Sequence, residues 1–147
     1  MSTLWQPESR RLLQTRIARL TEEHRPSWGR MSAPQMVSHL IESVRMATGD
    51  LPVARKSGPL RYPPLKQLVI YYLPWPKNAP TAPELLKRSP HEWDDDVKEL
   101  AALLDRFTTR AVSGPWPEHP AFGPLSGDAW GFLVHRHVDH HLTQFGV

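Results

Sequence analysis

Four of the eight histidines of this chain stand close together in the stretch HRHVDHHLTQFG, residues 135–146. On a helical wheel of roughly 100° per residue, His137 and His141 fall on the apolar face of the predicted helix. Because they lie four residues apart, their rings are one turn apart, about 6 Å along the axis, and could reach one ion. His140 falls on the edge of that face, and His135 points to the opposite side.

The inward pair has two explanations that the spacing alone leaves open. The rings could bind a metal, or they could be core histidines that hydrogen-bond to the backbone or to Gln144. A third ligand would favour the metal, and His39 is the candidate. On its own helix His39 lies beside Met36 and Met46, off the centre of the apolar face, where a surface or hydrogen-bonded histidine is the alternative. Glu42 faces away from the core on that wheel and is not expected to act as a base.

Other residues that could take part in catalysis or binding lie between the helices. His119, in the stretch HPAFG just before the last helix, could shuttle a proton or bind substrate. Its alternative is a loop histidine that packs on Trp130. Tyr71, Tyr72 and Trp75 could line a pocket, and a purely structural role is as well supported.

Proline positions delimit the helices that must place these residues. None of the 16 prolines lies in the interior of four amphipathic segments, which supports helices there because proline costs about 3 kcal/mol in a helix interior. The predicted helices run from Pro7 to Glu23, from Ser32 to Gly49, from about His91 to Phe107, and from Ser126 almost to Val147, with a short helix in PLKQLVIYYL.

Four amphipathic helices in one chain of this length predict an all-α fold, a four-helix bundle forming one domain over residues 1–147. The first and last connections are short, so the helices they join can be antiparallel. About forty residues separate the second and third helices, and a connection of that length permits a crossover that leaves those two helices parallel.

Composition narrows the class of protein. The chain has no cysteine, so a metal site must use histidine, carboxylate or water, and a disulfide scaffold is excluded. No apolar run approaches the ~20 residues of a membrane span, and no apolar leader is visible, so a cytoplasmic protein is expected. The basic stretch from Leu51 to Pro83 carries no acidic residue. It is either a solvated loop or an anion-binding lip, and neither a nucleic-acid nor a membrane partner is expected.

Taken together, these residues resemble the DinB-like superfamily of metal-dependent enzymes. The resemblance rests on the histidine in MSAPQMVSHL and on HVDHHLTQF in the last helix, and it covers nearly the whole chain. The stretches WGRMS and HPAFGPLSGDAW place the chain near a branch of uncharacterised function. The resemblance implies an up-down-down-up bundle. It also implies that His39, His137 and His141 bind one divalent ion, zinc or nickel, while Gln144 supports the site from outside the ligand set.

The resemblance also sets the functional expectation. Relatives in the superfamily include thiol-dependent transferases that use bacillithiol, mycothiol or glutathione, and a maleylpyruvate isomerase. A metal-dependent enzyme acting on a small molecule is therefore expected, either an S-transferase with a low-molecular-weight thiol or a hydrolase, with His119 as a catalytic candidate. For a thiol cosubstrate, Arg55, Lys56 and Arg61 could bind its carboxylates. The alternative is a non-catalytic metal- or ligand-binding stress-response protein.

The number and placement of the aromatic residues also predict that the chain forms an oligomer. Six tryptophans exceed what the core of a small bundle can hold, and superfamily relatives often pair through bundle faces. Phe132 lies on the wheel opposite the core face, and Trp5 and Trp116 lie outside the main helices. A homodimer that buries one of these three side chains is the expectation.

Overall fold

Five α-helices and no β-strand make up the regular structure, in a computed structural model that describes residues 1–147. Short 3₁₀ helices at Pro59–Arg61 and Pro83–Leu86 and a π-helical turn at Leu68–Tyr72 lie in the long connection. The all-α class predicted from the sequence is therefore confirmed. The α-helices are α1 (Pro7–Arg19), α2 (Ala33–Thr48), α3 (Leu65–Gln67), α4 (Trp93–Phe107) and α5 (Gly127–Gln144).

The ends of α2 follow from local sequence. The Ser32 hydroxyl accepts a hydrogen bond from the Gln35 backbone, and the Gln35 side chain accepts one from the Ser32 backbone, which is a complete capping box. Pro34 occupies the first turn, where its missing N–H is not needed. Gly49 ends the helix at φ 85°, a left-handed conformation that glycine adopts without strain. The predicted bounds of this helix are confirmed.

Helix α1 is shorter than predicted. It ends at Arg19, and the extended Leu20 follows, whereas the sequence pattern continued to Glu23. A tight turn competes with the helix here, because the Thr21 backbone N–H donates to Nδ1 of His24 at 2.9 Å. Leu12, in the middle of the helix, is 58% exposed, whereas its neighbour Leu13 is buried.

Packing among the long helices leaves α2 covered on more than one side. Helix α1 contacts α4 and α5, and α2 contacts α4, α5 and the 3₁₀ helix at Pro83–Leu86. As a result every residue from 36 to 44 is buried, including the polar His39 and Glu42. The wheel prediction that Glu42 faces away from the core was therefore wrong. Its carboxylate accepts a hydrogen bond from Arg45 at 2.7 Å.

The long connection between α2 and α4 is fastened to α5 by one arginine. Arg136 donates to the carbonyl oxygens of Val69 at 2.9 Å and Ile70 at 2.6 Å, and it also bonds the carbonyl of Leu73. Its guanidinium lies 4.5 Å from the centre of the Trp75 ring. These carbonyl groups lie at the end of the short helix that was predicted in PLKQLVIYYL. That helix is confirmed, as α3 and the π-helical turn that follows it.

The aromatic side chains expected at a dimer interface pack within this chain. Phe132 is half-buried, with its ring 4.9 Å from that of Tyr71. Trp5 packs against both Phe107 and Trp116, with ring centres 5.3 and 5.8 Å away. The reason for expecting a homodimer is thereby weakened, and the homodimer itself stays a prediction.

None of the helices combines the length and the apolar character that crossing a membrane would require.

Candidate metal centre

Three histidines from two helices meet at one point in the structure. His39 comes from α2, and His137 and His141 come from successive turns of α5. Nε2 of His137 lies 3.2 Å from Nε2 of His39 and 3.1 Å from Nε2 of His141. Each ring can offer one nitrogen, and these three nitrogens lie within 4.8 Å of one another. The group could therefore hold a metal ion.

The ring of His39 is oriented by a segment far away in sequence. Its Nδ1 lies 3.3 Å from the carbonyl oxygen of Leu85, in the 3₁₀ helix that covers α2. A carbonyl oxygen can only accept, so Nδ1 carries the hydrogen and donates it. In the neutral ring Nε2 is then left with a lone pair, which is the form of histidine that binds a metal.

The ring of His141 is oriented in the same way through a side-chain amide. Gln144 donates from its Nε2 to the carbonyl of Trp28 at 2.7 Å, so its Oε1 is the end that faces His141. That oxygen lies 2.7 Å from Nδ1 of His141 and accepts its hydrogen, which again leaves Nε2 with a lone pair. The chain passes close to this amide at Gly29, where φ is 84° and an added Cβ would lie 2.8 Å from the Gln144 nitrogen.

The geometry fits a metal ion better than a hydrogen-bonded cluster. The lone pairs of His39 and His141 both face Nε2 of His137, which has at most one hydrogen to donate. In a tetrahedral site with Zn–N distances of about 2.0–2.1 Å, neighbouring ligand nitrogens are roughly 3.3 Å apart. The separations of His137 Nε2 from Nε2 of His39 and of His141, 3.2 and 3.1 Å, are close to that value. No Asp, Glu or further His joins the group.

Burial keeps all three rings neutral. Desolvation lowers the pKa of His141 to about 3, with a further contribution from His39. Burial lowers the pKa of His39, opposed in part by its hydrogen bond to Leu85. For His137, burial and the neighbouring histidines together hold the pKa well below its usual range. Neutral imidazoles are the species that coordinate metals, so no proton must be removed from this group at neutral pH.

Two adjoining spaces of different character border the histidine group, and they share Trp75 and His137 in their walls. His39 and His137 line a cavity of about 470 Å³. His137 and His141 line a polar cleft of about 390 Å³, together with Arg30 and Lys77. A ligand in either space would lie next to two of the three histidines. The cavity wall is mostly apolar and includes Leu60, Trp75, Phe122, Trp130, Val134 and Val138.

His119 also lines the apolar cavity. Its ring packs on Phe122 at 4.7 Å and on Trp130 at 5.3 Å, so the packing role considered from the sequence is present. Burial, with the charges of Arg61 and Lys66, lowers the pKa of His119 to about 4. The ring is therefore neutral at pH 7. A role as catalytic residue stays a prediction.

The other two histidines of the last helix lie outside the group. His140 is half-buried, with its ring 5.7 Å from that of Trp28 and 6.0 Å from that of Trp75. His135 is also half-buried rather than solvated, and burial lowers its pKa.

Of the remaining residues considered for a binding pocket, some line the cavity in the structure and others do not. Of the three crossover aromatics only Trp75 lines the cavity, since Tyr71 packs on Phe132 and Tyr72 is exposed. Among the basic residues considered for a cosubstrate, Lys56 lines the cavity. Arg55 is exposed and away from it.

Arg61 is not free to bind a ligand. It donates to the Pro120 carbonyl at 3.1 Å and pairs with Glu118 at 3.1 Å, and its side chain is only 7% exposed. Two other basic residues, Arg30 and Lys77, border the polar cleft; Lys77 belongs to the stretch considered as an anion-binding lip, whereas Arg30 was missed. Arg30 stands in WGRMS and Lys77 in the basic stretch, but only their position in the fold shows that both border the cleft.

Comparison with known proteins gives one match. The family described as "Protein of unknown function (DUF1569)" matches residues 10–146, nearly the whole chain. None of the curated proteins and none of the solved structures compared with the chain matches it.

Proposed function

The chain belongs to the DUF1569 family, and for this member we propose a divalent-metal-dependent enzyme that acts on a small molecule. One observation carries the proposal. The Nε2 atoms of three histidines converge beside a cavity of about 470 Å³. In two of these rings, His39 and His141, a hydrogen bond at Nδ1 leaves the lone pair on Nε2. His39, His137 and His141 would hold the ion, with zinc or nickel as the metal that such imidazoles suit. When bound, the ion supplies a Lewis acid.

A catalytic role is better supported than storage or a purely structural metal. Structural zinc sites are closed by four protein ligands, whereas only three side chains meet here. The cavity beside them is within the usual size range of small-molecule sites and has a mostly apolar wall with few polar groups. Side chains such as Trp75 and Phe122 would exclude water from a bound substrate. The non-catalytic alternative lacks a comparable supporting observation.

Within this class, the polar cleft favours a transferase over a hydrolase. Arg30 and Lys77 border the cleft, which adjoins the apolar cavity at Trp75 and His137. Two adjoining spaces suit two substrates, an apolar acceptor and a cosubstrate that carries carboxylates, such as a low-molecular-weight thiol. A hydrolase would need only water as its second reactant. We also infer, from the helix-two histidine and the HVDHHLTQF pattern, an up-down-down-up bundle of the DinB-like superfamily.

The test is metal analysis of protein purified without an affinity tag. Single replacements by Ala of His39, His137 and His141 should each lower the bound metal sharply. His140→Ala is the matched control, because it removes a histidine adjacent in the chain that lies outside the group and should retain the metal. His135→Ala should retain it as well. Full occupancy in the His141→Ala protein would contradict the assignment.

A further inference from the structure

One ring nitrogen of His119 is held by the backbone and the other has no partner in the protein. Nδ1 accepts hydrogen bonds from the backbone N–H groups of Ala121 at 3.0 Å and Phe122 at 3.1 Å. The loop is closed by two backbone hydrogen bonds between His119 and Gly123, at 2.8 and 2.9 Å. A nitrogen that accepts two N–H groups carries no hydrogen of its own. The neutral ring therefore has its hydrogen on Nε2.

The ring that carries this donor lines the apolar cavity. The ring is fixed in place by Phe122 and Trp130, and His119 lines the cavity that His39 and His137 also line. A polar N–H beside apolar surroundings is costly unless something accepts its hydrogen. Binding sites for small molecules typically consist of such a mostly apolar wall with a small number of fixed polar groups that orient the ligand.

We propose that Nε2–H of His119 donates a hydrogen bond to an oxygen of the small molecule in the cavity, so that the substrate class is an apolar body carrying a carbonyl or carboxylate oxygen. The inference rests on the proposed function in taking the cavity as the substrate site. It gives His119 a binding role in place of the proton shuttle considered from the sequence. The fixed ring would hold the oxygen near the histidine group, of which His39 and His137 line the same cavity.

The experiment uses a matched pair of probes, acetophenone and ethylbenzene, which share an aromatic body and differ in the carbonyl oxygen. The full chain is labelled with ¹⁵N-histidine and titrated with each probe, metal-free and then with zinc. NMR through the ring nitrogens reports which nitrogen of His119 carries hydrogen. The expected result is hydrogen on Nε2, and a shift of that signal with acetophenone only. Hydrogen on Nδ1, or equal shifts with both probes, would overturn the proposal.

A variant can remove the Nε2–H donor of His119 and still keep the structure of the loop. In His119→Asn the side-chain oxygen can occupy the place of Nδ1 and keep the two backbone bonds, while nothing replaces Nε2. Acetophenone should lose its advantage over ethylbenzene, roughly two- to tenfold for one hydrogen bond. His119→Ala removes both functions and should also disturb the amide signals of Ala121 and Phe122. An unchanged preference in the His119→Asn protein would contradict the donor role.

The two proposals can fail separately. If zinc does not bind but acetophenone is preferred, the metal assignment fails and the role of His119 stands. If zinc binds at the three histidines but neither probe is preferred, the role of His119 fails and the metal assignment stands.

Discussion

Acid should destabilise the metal-free protein, because His141 is buried as a neutral ring. Its pKa is lowered from 6.5 to about 3 by burial. Between these pH values the unfolded chain takes up a proton at residue 141 and the folded chain does not. The contribution of a neutral His141 is therefore complete above pH 6.5 and is lost as the pH falls towards 3.

The size of the effect follows from the same values. At pH 5 the unfolded histidine lies about 1.5 pH units below its pKa, while the folded ring is still neutral. At roughly 1.4 kcal/mol per unit, His141 alone should lower the free energy of unfolding by about 2 kcal/mol between pH 7 and pH 5. That is a large fraction of the ~5–15 kcal/mol that stabilises a typical domain.

Urea unfolding at pH 7 and pH 5, with a chelator present, measures this loss. The wild-type protein is compared with His141→Gln, which removes the titrating ring, and with His24→Gln, a control for the loss of a histidine that bonds only Thr21. The loss of stability between the two pH values should be about 2 kcal/mol smaller in His141→Gln than in the other two proteins. Equal losses in all three would refute the reasoning.

Three further predictions follow from individual contacts. Gln144→Ala removes the acceptor of the His141 Nδ1–H and should weaken zinc binding about 10–100-fold in a competition assay with a chelating dye; unchanged affinity would count against its role. Gly131→Ala would place a Cβ 2.3 Å from Nε1 of Trp5, so thermal unfolding should show a loss of roughly 1–3 kcal/mol, and an unaltered melting temperature would contradict the close packing. Arg136→Leu removes a donor from the carbonyls of Val69, which keeps the Trp75 Nε1–H, and of Ile70, so limited proteolysis should cut the long connection faster than in the wild type; an equal rate would show that other contacts hold it.

Much of the helical structure could be predicted because its ends are decided by neighbouring residues. Ser32, Gln35 and Gly49 supply both ends of α2, and Ser126 caps α5 by accepting from the Ala129 backbone. The inward direction of His141 was likewise predictable, since a helix of known ends fixes which residues share a face. The early end of α1 was not, because the turn at Thr21 competes through a histidine side chain.

What the sequence could not show is which side of α2 would be covered. A helical wheel assumes one buried face, yet α4, α5 and the 3₁₀ helix at Pro83–Leu86 all contact α2, and both His39 and Glu42 are buried. The same segment supplies the Leu85 carbonyl that fixes the His39 ring, 46 residues away in the chain. The Trp28 carbonyl fixes Gln144 from 116 residues away.

The spacing of the histidines therefore predicts that the rings can meet, but distant backbone carbonyls decide what the rings can do once they meet. With Nδ1 of His39 and of His141 both donating, their Nε2 lone pairs must face His137. Without those two acceptors either ring could turn its N–H inward, and the three histidines could then bond to one another as ordinary core residues. The long connection between α2 and α4 thus determines the chemistry of the site as well as covering it, because it carries one of the two acceptors.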